Sequence, residues 1–342
     1  HRPLMTLASF LAVNPPYWVE TLTKIGIGLV AVLLPTGALV YLFLFKMMSF
    51  MQSRLGPMEA GPYGQLQLLA EFGKFLQKED IFPSKADRFV FAAAPFVVLV
   101  STFMLVLVLP AGPDTHFVDL NTGIYFAMAV SSISVIGILM AGWGSASKYS
   151  LLGGIRAAGQ LIAYELPLVL SVVGVVIMAG TLNMKGIVAA QADFGVWFII
   201  PQIIGFFIFM VAIQAELTQP PFDMPVAESE LVTGYLTEYS GIRFLLFFIG
   251  EFATAAVFSA IGATLFLGGW TIPFVDANAE IMDYIGPLVL AGKMIFIAFL
   301  IFWFRITYPR FREDQLQRLA WKFLIPLSLF NIVVTAIFKV VF

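Results

Sequence analysis

Cysteine is absent from the 342 residues, and only two histidines, His1 and His116, are present. Without thiolates the chain forms no disulfide, no thiolate-held metal site and no Fe–S cluster, and His1 and His116, far apart in the sequence, do not indicate a haem site. Charged residues are also scarce, at 12%, and the net charge of −2 argues against nucleic acid as a partner. Any electrons in the chemistry of this protein must therefore travel in a partner.

Hydrophobic residues are abundant, at 60% of the chain. They form unbroken runs of about 18 residues or more, which is the length that a membrane-spanning helix needs and is unlike the alternation of a membrane β-barrel strand. The sequence therefore predicts an all-α, polytopic membrane protein with one integral membrane domain, 1–342. Its eight predicted spans are about 20–49, 89–110, 121–143, 156–180, 196–217, 243–268, 287–308 and 321–341.

The loops predict which side of the membrane each end faces. Between the first two spans, apolar residues recur at helical spacing opposite charged ones, which predicts a short interfacial amphipathic helix at about 63–78. Most of the 19 Lys and Arg residues lie on the same side of the membrane as this loop. We therefore expect that side to be cytoplasmic and both termini to be outside. On the same side lies an acidic loop at about 218–242. No inverted repeat, as found in many secondary transporters, is apparent.

An acidic stretch, 214–251, stands out in this apolar chain. Its only basic residue is Arg243, and ionised groups next to the hydrocarbon must be paired, hydrated or protonated. Prolines prevent a regular helix through QPPFDMP, whereas 227–240 is predicted to be helical. On such a helix Glu230 is about 200° from Glu228 and about 80° from Glu238, so the acids cannot form one stripe. The alternative is an acidic loop in solvent. The acids of the stretch are Glu216, Asp223, Glu228, Glu230, Glu238 and Glu251.

Two acids lie within predicted spans. Glu165 is roughly 13 Å along its helix from Arg156, and Glu251 is similarly placed after Arg243. Burial favours the protonated form of such carboxyl groups, which makes them candidates for proton transfer. The alternative is a fixed buried network with Ser, Tyr or Arg. Lys293 either meets a buried acid or extends to the outer interface.

Four stretches carry a family resemblance: SRLGPMEAGPYGQLQLLAEFGKFLQKE (53–79), GWGSASKYSLLGGIRAAGQLIAYE (142–165), AELTQPPFDMPVAESELVTGYLTEYSG (215–241) and YPRFREDQLQRLAWKFLIP (308–326). In order and motif they resemble the quinone-chamber membrane subunit, designated H, of proton-translocating NADH:quinone oxidoreductase, respiratory complex I. The resemblance implies an eight-span subunit that encloses a quinone chamber and links it to proton translocation. Quinone would be its substrate, with NADH, FMN and Fe–S clusters in partner subunits.

The resemblance also implies roles for individual residues and partners. Peripheral quinone-reducing subunits would contact the cytoplasmic face, and small membrane subunits, antiporter-like subunits and lipid would lie alongside. The implied proton-coupling residues are Glu165, Glu216, Asp223, Glu228, Glu230, Glu238 and Glu251. The implied chamber residues are Arg54, Phe222, Asp223 and Arg305, with Arg156, Arg310 and Arg312 as supporting bases; basic residues at this interface are otherwise most often anchors to the lipid surface.

Three positions depart from the family pattern. Gln219 stands where the family has arginine, Val226 where it has an acid, and Glu313 where it has tyrosine. The missing arginine predicts a compensating base, which a partner could supply. Two other functions remain compatible with the residues, the equivalent subunit of an energy-converting hydrogenase-type complex and an autonomous proton or cation transporter; a purely structural anchor is a third.

Overall fold

The computed structural model describes residues 17–113, 115–272 and 281–341. Every regular element in these ranges is helical, which confirms the predicted all-α class. The π-helical segments Ile27–Leu33 and Ala320–Leu324 connect α1 to α2 and α13 to α14. The α-helices are α1 (Tyr17–Gly26), α2 (Leu34–Met51), α3 (Gln67–Gln77), α4 (Arg88–Leu107), α5 (Gly123–Ser131), α6 (Ile133–Gly144), α7 (Lys148–Ala179), α8 (Met184–Phe194), α9 (Ile203–Glu216), α10 (Glu228–Leu231), α11 (Gly241–Phe266), α12 (Ile281–Thr307), α13 (Glu313–Leu319) and α14 (Ile325–Val341).

Seven helical segments of the described chain are long and apolar enough to cross a membrane, so the chain is a multi-pass membrane protein. They are α2, α4, the pair α5–α6, α7, α11, α12 and the stretch from α13 to α14. The helix α9 is apolar but has only 14 residues, about 21 Å by helix rise, against about 30 Å of hydrocarbon. Pro201, which has no N–H to donate, lies in the turns that precede it.

The predicted helix over 227–240 is wrong. Only Glu228–Leu231 is α-helical; Val232 has φ 65° and ψ −87°, and a 3₁₀ turn follows at Gly234–Leu236. The reason is a close approach of two backbones. Gly234 has φ 56°, and a Cβ atom there would lie 1.7 Å from the carbonyl oxygen of Pro225. The helical angles between Glu230 and Glu238 therefore do not apply.

Small residues let the elements of the bundle approach one another closely, as is common between membrane helices. On α7, a Cβ atom at Gly153 would lie 2.6 Å from the backbone nitrogen of Tyr235, so this glycine brings the acidic loop onto α7. Between α2 and α11, Gly37 packs against Ala253, with 3.3 Å from its ideal Cβ position to the Cα atom of Ala253. The 32-residue α7 also contacts α6, α9 and α14.

The short helix α3 lies against α2 and α11. Phe75 stacks on Phe244 with ring centroids 5.3 Å apart, and the hydroxyl of Tyr41 donates to Glu71. Leu69 and Leu76 on its other side are exposed. A narrow cavity of about 30 Å³ remains between the three helices. It is lined by Leu34, Gly37, Ala38, Tyr41, Leu68, Phe72, Phe248, Ile249 and Phe252.

Candidate functional site

The proline-rich loop after α9 is held by two buried glutamines. Gln160 of α7 donates through Nε2 to the carbonyl oxygens of Ala215 and Phe222, both at 2.7 Å. Gln214 donates to the carbonyl oxygen of Pro220, also at 2.7 Å. Prolines have no N–H group, so a regular helix cannot form through this loop. The two side-chain amides donate instead to backbone carbonyl oxygens that have no helical partner. The loop therefore has a defined position against α7 and α9.

Gln219 connects a base to a carboxylate at the centre of this site. Its Nε2 donates to Oε1 of Glu251 at 2.6 Å, and its Oε1 accepts a hydrogen bond from Arg305 of α12. An amide has both a donor and an acceptor, so one buried side chain, 2% exposed, pairs with both charged groups. The base that faces Gln219 is therefore Arg305 of this chain.

Asp223 extends the same cluster. Its Oδ2 lies 2.9 Å from Nη2 of Arg310, in the loop between α12 and α13. Asp223 and Arg305 are also close enough for their charges to act on Glu251. Tyr235 is buried beside them, and burial, with the charges of Glu251 and Asp223, raises the pKa of its hydroxyl. We call Gln219, Asp223, Glu251, Arg305 and Arg310 the central cluster.

A second group forms around Arg156 on α7. Its Nη1 lies 2.5 Å from Oε2 of Glu230, and its Nε lies 3.8 Å from Oε2 of Glu313. The hydrogen bond and charge of Arg156 hold the pKa of Glu230 below its usual range. An open cavity of about 540 Å³ adjoins these residues. Its lining is Arg156, Met224, Glu230, Arg312, Glu313, Asp314 and Gln317.

The remaining intramembrane acids form a third group. Glu165 accepts a hydrogen bond from Ser132, which joins α7 to the α5–α6 pair. The charge of Glu165 acts on Glu216, at the end of α9. Oε2 of Glu216 is buried and has no hydrogen-bond partner among the described residues. The Oε2 atom of Glu216 can therefore bind a proton or accept a hydrogen bond.

Other predicted site residues lie outside these groups. Arg54 follows α2 and donates to Gln52 at 2.9 Å, and Arg312 pairs with Asp314 at 3.2 Å. Glu238 is partly buried and has no side-chain hydrogen bond or ion pair with the described residues. The side chain of Glu228 lies outside the described residues. Phe222 is buried and meets Tyr164 and Phe311, with ring centroids 5.2 and 5.5 Å away.

Lys293 contacts none of the intramembrane acids Glu165, Glu216 and Glu251. Its Nζ donates to the carbonyl oxygens of Leu267, Gly269 and Thr271 at 2.6 to 2.9 Å. These carbonyls follow the end of α11, where backbone acceptors have no helical partner. Lys293 thus caps a helix end at the side of the bundle away from the central cluster.

Sequence reasoning missed Gln160 and Tyr235 as members of the site. Gln160 is one helical turn after Arg156, so its spacing on α7 was a usable signal. Tyr235 offered no such signal because its place depends on the break at Val232 and on the close contact with Gly153.

In the part of the chain that the structure describes, seven long apolar helical segments surround acidic side chains. This arrangement defines the class of multi-pass membrane proteins with ionisable groups inside the bundle. The family described as NADH dehydrogenase matches residues 24–336. The NADH-quinone oxidoreductase subunit designated H from Brevibacillus brevis is 44% identical over 325 residues, 94% of this chain and 95% of the relative. Its counterpart from Anoxybacillus flavithermus is 44% identical over 335 residues, 96% of this chain and 98% of the relative. This chain belongs to the NADH dehydrogenase family of membrane subunits.

Proposed function

We propose that this chain is the membrane subunit of a proton-translocating NADH:quinone oxidoreductase that forms much of the quinone chamber and couples quinone reduction to proton movement. The names of its relatives support the reaction, and the match over nearly the whole chain supports the same place in the complex. NADH, FMN and Fe–S clusters belong to partner subunits in this proposal. Peripheral subunits contact the face that carries Arg156 and Arg312, and small membrane subunits, antiporter-like subunits and lipid surround the spans. Both termini are outside.

The connection from Arg305 through Gln219 to Glu251 is the observation that carries the coupling role. A negative charge that develops beside Asp223 when quinone is reduced changes the field at Glu251, because the charges of Asp223 and Arg305 act on Glu251. Glu251 then binds or releases a proton. Acids this close titrate as a set, so the response belongs to the central cluster as a whole.

Glu216 and Glu165 continue the route from the cluster toward α5 and α6. Glu216 is two residues after Gln214, which anchors the loop, and its unpaired oxygen is able to receive a proton. Glu165 is held on Ser132 and acts on Glu216 electrostatically. A proton that binds to one of these two acids lowers the repulsion at the other, which gives the pair a coupled response.

The narrow cavity between α2, α3 and α11 is our candidate for the passage of the quinone tail. Its walls are apolar, and Phe248 and Phe252 on α11 flank the turn that carries Glu251. At about 30 Å³ it has room for little more than a water molecule. Passage of a tail therefore requires α3 to move away from α2, and the bond between Tyr41 and Glu71 opposes that movement.

Neutralising the intramembrane acids tests the proposal. In the assembled complex, Glu251→Gln and Glu165→Gln should lower both NADH:quinone reductase activity and proton pumping by about tenfold or more, since each removes an ionisable group from the route. Assembly, measured by co-purification of the partner subunits, should persist because the substitutions keep the side-chain volume. Wild-type pumping in both variants would refute the coupling role. Transport by the isolated chain in liposomes would favour an autonomous transporter instead.

A further inference from the structure

A cavity of about 500 Å³ lies at the end of the bundle away from the central cluster. Four elements enclose it: the first π-helical segment with the start of α2, the end of α4 with the loop after it, the second half of α11, and the first turns of α12. Thr115, in the loop after α4, donates to the carbonyl oxygen of Asp283 on α12 at 3.4 Å and so joins two of the walls. We call this space the lateral cavity.

The backbone and the side chains of the walls explain why space remains here. One wall is the π-helical segment Ile27–Leu33, in which each turn holds more residues than a turn of an α-helix. Another wall contains Pro287, which has no N–H group and removes a hydrogen bond inside α12. The wall on α11 consists of small side chains, Ala256, Val257 and Ala260. The lateral cavity is therefore a consequence of two irregular helices that face small residues.

The described walls of the lateral cavity carry no carboxylate, lysine or arginine. Their polar residues are Thr36, Thr115 and His116. The hydroxyl of Thr36 donates to the carbonyl oxygen of Val32 at 2.7 Å, that of Thr115 is used by Asp283, and His116 also interacts within the chain. A cavity with apolar walls stays dry because water finds too few polar partners there. An occupant of this cavity is therefore apolar.

The lateral cavity is continuous with the lipid-facing surface. Ile27 in its wall is 38% exposed, and Leu288, next to Pro287, is 73% exposed, so apolar surface leads into the cavity between the first π-helical segment and α12. At this depth a spanning helix is surrounded by acyl chains. An apolar cavity of about 150 Å³ holds one benzene molecule, so about 500 Å³ holds roughly 20 carbon atoms at the same packing. That is enough room for one acyl chain.

We propose that the lateral cavity holds one acyl chain of a bilayer phospholipid, inserted between the first π-helical segment and α12. The chain enters beside Ile27 and Leu288, and its methyl end lies near Thr36 and Met294. Contact with the walls supplies dispersion interactions that an empty cavity lacks. The inference rests on the membrane-spanning helices and is independent of the quinone reaction.

A photoreactive lipid tests the site in the assembled complex, reconstituted into phosphatidylcholine vesicles. The two probes are phosphatidylcholines with a diazirine on one acyl chain, either at the terminal carbon or beside the ester. After illumination, mass spectrometry locates the labelled residues. We expect the terminal diazirine to label Met294, which is only 5% exposed, and the diazirine beside the ester to label the entrance at Ile27. A chain that stays outside the bundle would label the exposed Tyr284 and Leu288 but not Met294, and would overturn the proposal.

Two variants fill the lateral cavity from different walls. Ala291→Phe adds a ring from α12, and Ala260→Phe adds one from α11. Each should abolish the labelling of Met294 and leave the labelling of the exposed Leu288 in place. Ala336→Phe makes the same change on α14, outside the cavity, and should keep the wild-type pattern. Co-purification of the partner subunits shows that the variants have assembled, and labelling of Met294 that persists in both filled variants would refute the site.

Competition then tests which molecule fills the lateral cavity. Unlabelled phosphatidylcholine should reduce the labelling of Met294 in proportion to the dilution of the probe, and an excess of long-tailed quinone should leave it unchanged. Loss of labelling with quinone alone would assign the cavity to the quinone tail and contradict the proposal. Absence of labelling with both probes would mean that a helix of a partner subunit covers the entrance, which also contradicts it. None of these readouts depends on Glu165 or Glu251, so the coupling role and the lateral cavity can fail independently.

Discussion

Buried glutamine side chains at the two ends of the helix bundle differ in how many of their donors and acceptors are hydrogen-bonded. At the end where α9 begins, Gln202 donates to Thr335 at 2.7 Å and accepts from Asn331 at 2.9 Å. At the end where α9 stops, Gln160 and Gln214 each donate to loop carbonyls, but their Oε1 atoms have no partner among the described residues. The first network is neutral, and the amide of Gln202 is paired at both its ends. The second has spare acceptors beside ionisable groups.

Structural polar groups in a membrane protein can be distinguished from functional ones by how completely they are hydrogen-bonded. A closed neutral network satisfies every donor and acceptor, so it stabilises the packing of its helices and needs no ligand. A network with unpaired acceptors and charged groups has a cost that its own contacts do not offset. The unpaired oxygens of Gln160, Gln214 and Glu216 lie beside the ionisable groups of the central cluster, and so we place proton binding there.

Among the substitutions considered, removal of Arg305 is expected to lower activity most. Arg305→Met removes a positive charge that lies near Glu251 and Asp223. A buried charge that loses its partner is strongly unfavourable. Reductase activity and proton pumping of the assembled complex should fall by about tenfold or more. Lys322→Met, an exposed cation on the second π-helical segment, is the matched control and should retain activity. Wild-type pumping in Arg305→Met would mean that the cluster is structural after all.

Substitution of one buried glutamine at each end of the bundle should have a smaller effect on activity than the loss of Arg305. Gln219→Leu and Gln202→Leu each remove at least two side-chain hydrogen bonds from a buried position, so each should destabilise the protein by about 2 kcal/mol. Only Gln219→Leu should lower turnover per assembled complex, because only Gln219 joins Arg305 to Glu251. Thermal unfolding and reductase activity of the two variants measure this. Equal losses of turnover would remove the distinction between the two ends.

Much of this architecture follows from local sequence patterns. Long apolar runs are sufficient to predict the helical class, and the acids of the site stand out because charge is rare in such a chain. The pairing of Arg305 with Gln219 was not predictable, since it joins residues far apart in sequence through the fold. The break after Leu231 was missed for a related reason. It depends on the contact of Gly234 with Pro225, whereas helical propensity reports only neighbouring residues.

The structure gives each of the three departing positions a local setting. Gln219 accepts a hydrogen bond from Arg305, and Glu313 lies 3.8 Å from Arg156. Val226 packs beside the apolar cluster that contains Phe91 and Tyr235, where an acid would need a partner in apolar surroundings.

The smallest expected effect concerns the exposed pair of Arg156 and Glu230. The pKa of Glu230 is lowered in the folded protein, so the pair contributes stability above the unfolded pKa of about 4.3, and that contribution is lost as pH falls through the lower folded value. Arg156→Met should therefore lower the Tm of the complex slightly at pH 7, by the equivalent of about 0.2–1 kcal/mol, as for other exposed pairs. The difference from the wild type should shrink as pH falls below about 4.

Glu313→Gln, which removes only the 3.8 Å contact, should change Tm less than Arg156→Met. A Tm difference that grows toward low pH would show that Glu230 is not stabilised as a carboxylate by Arg156.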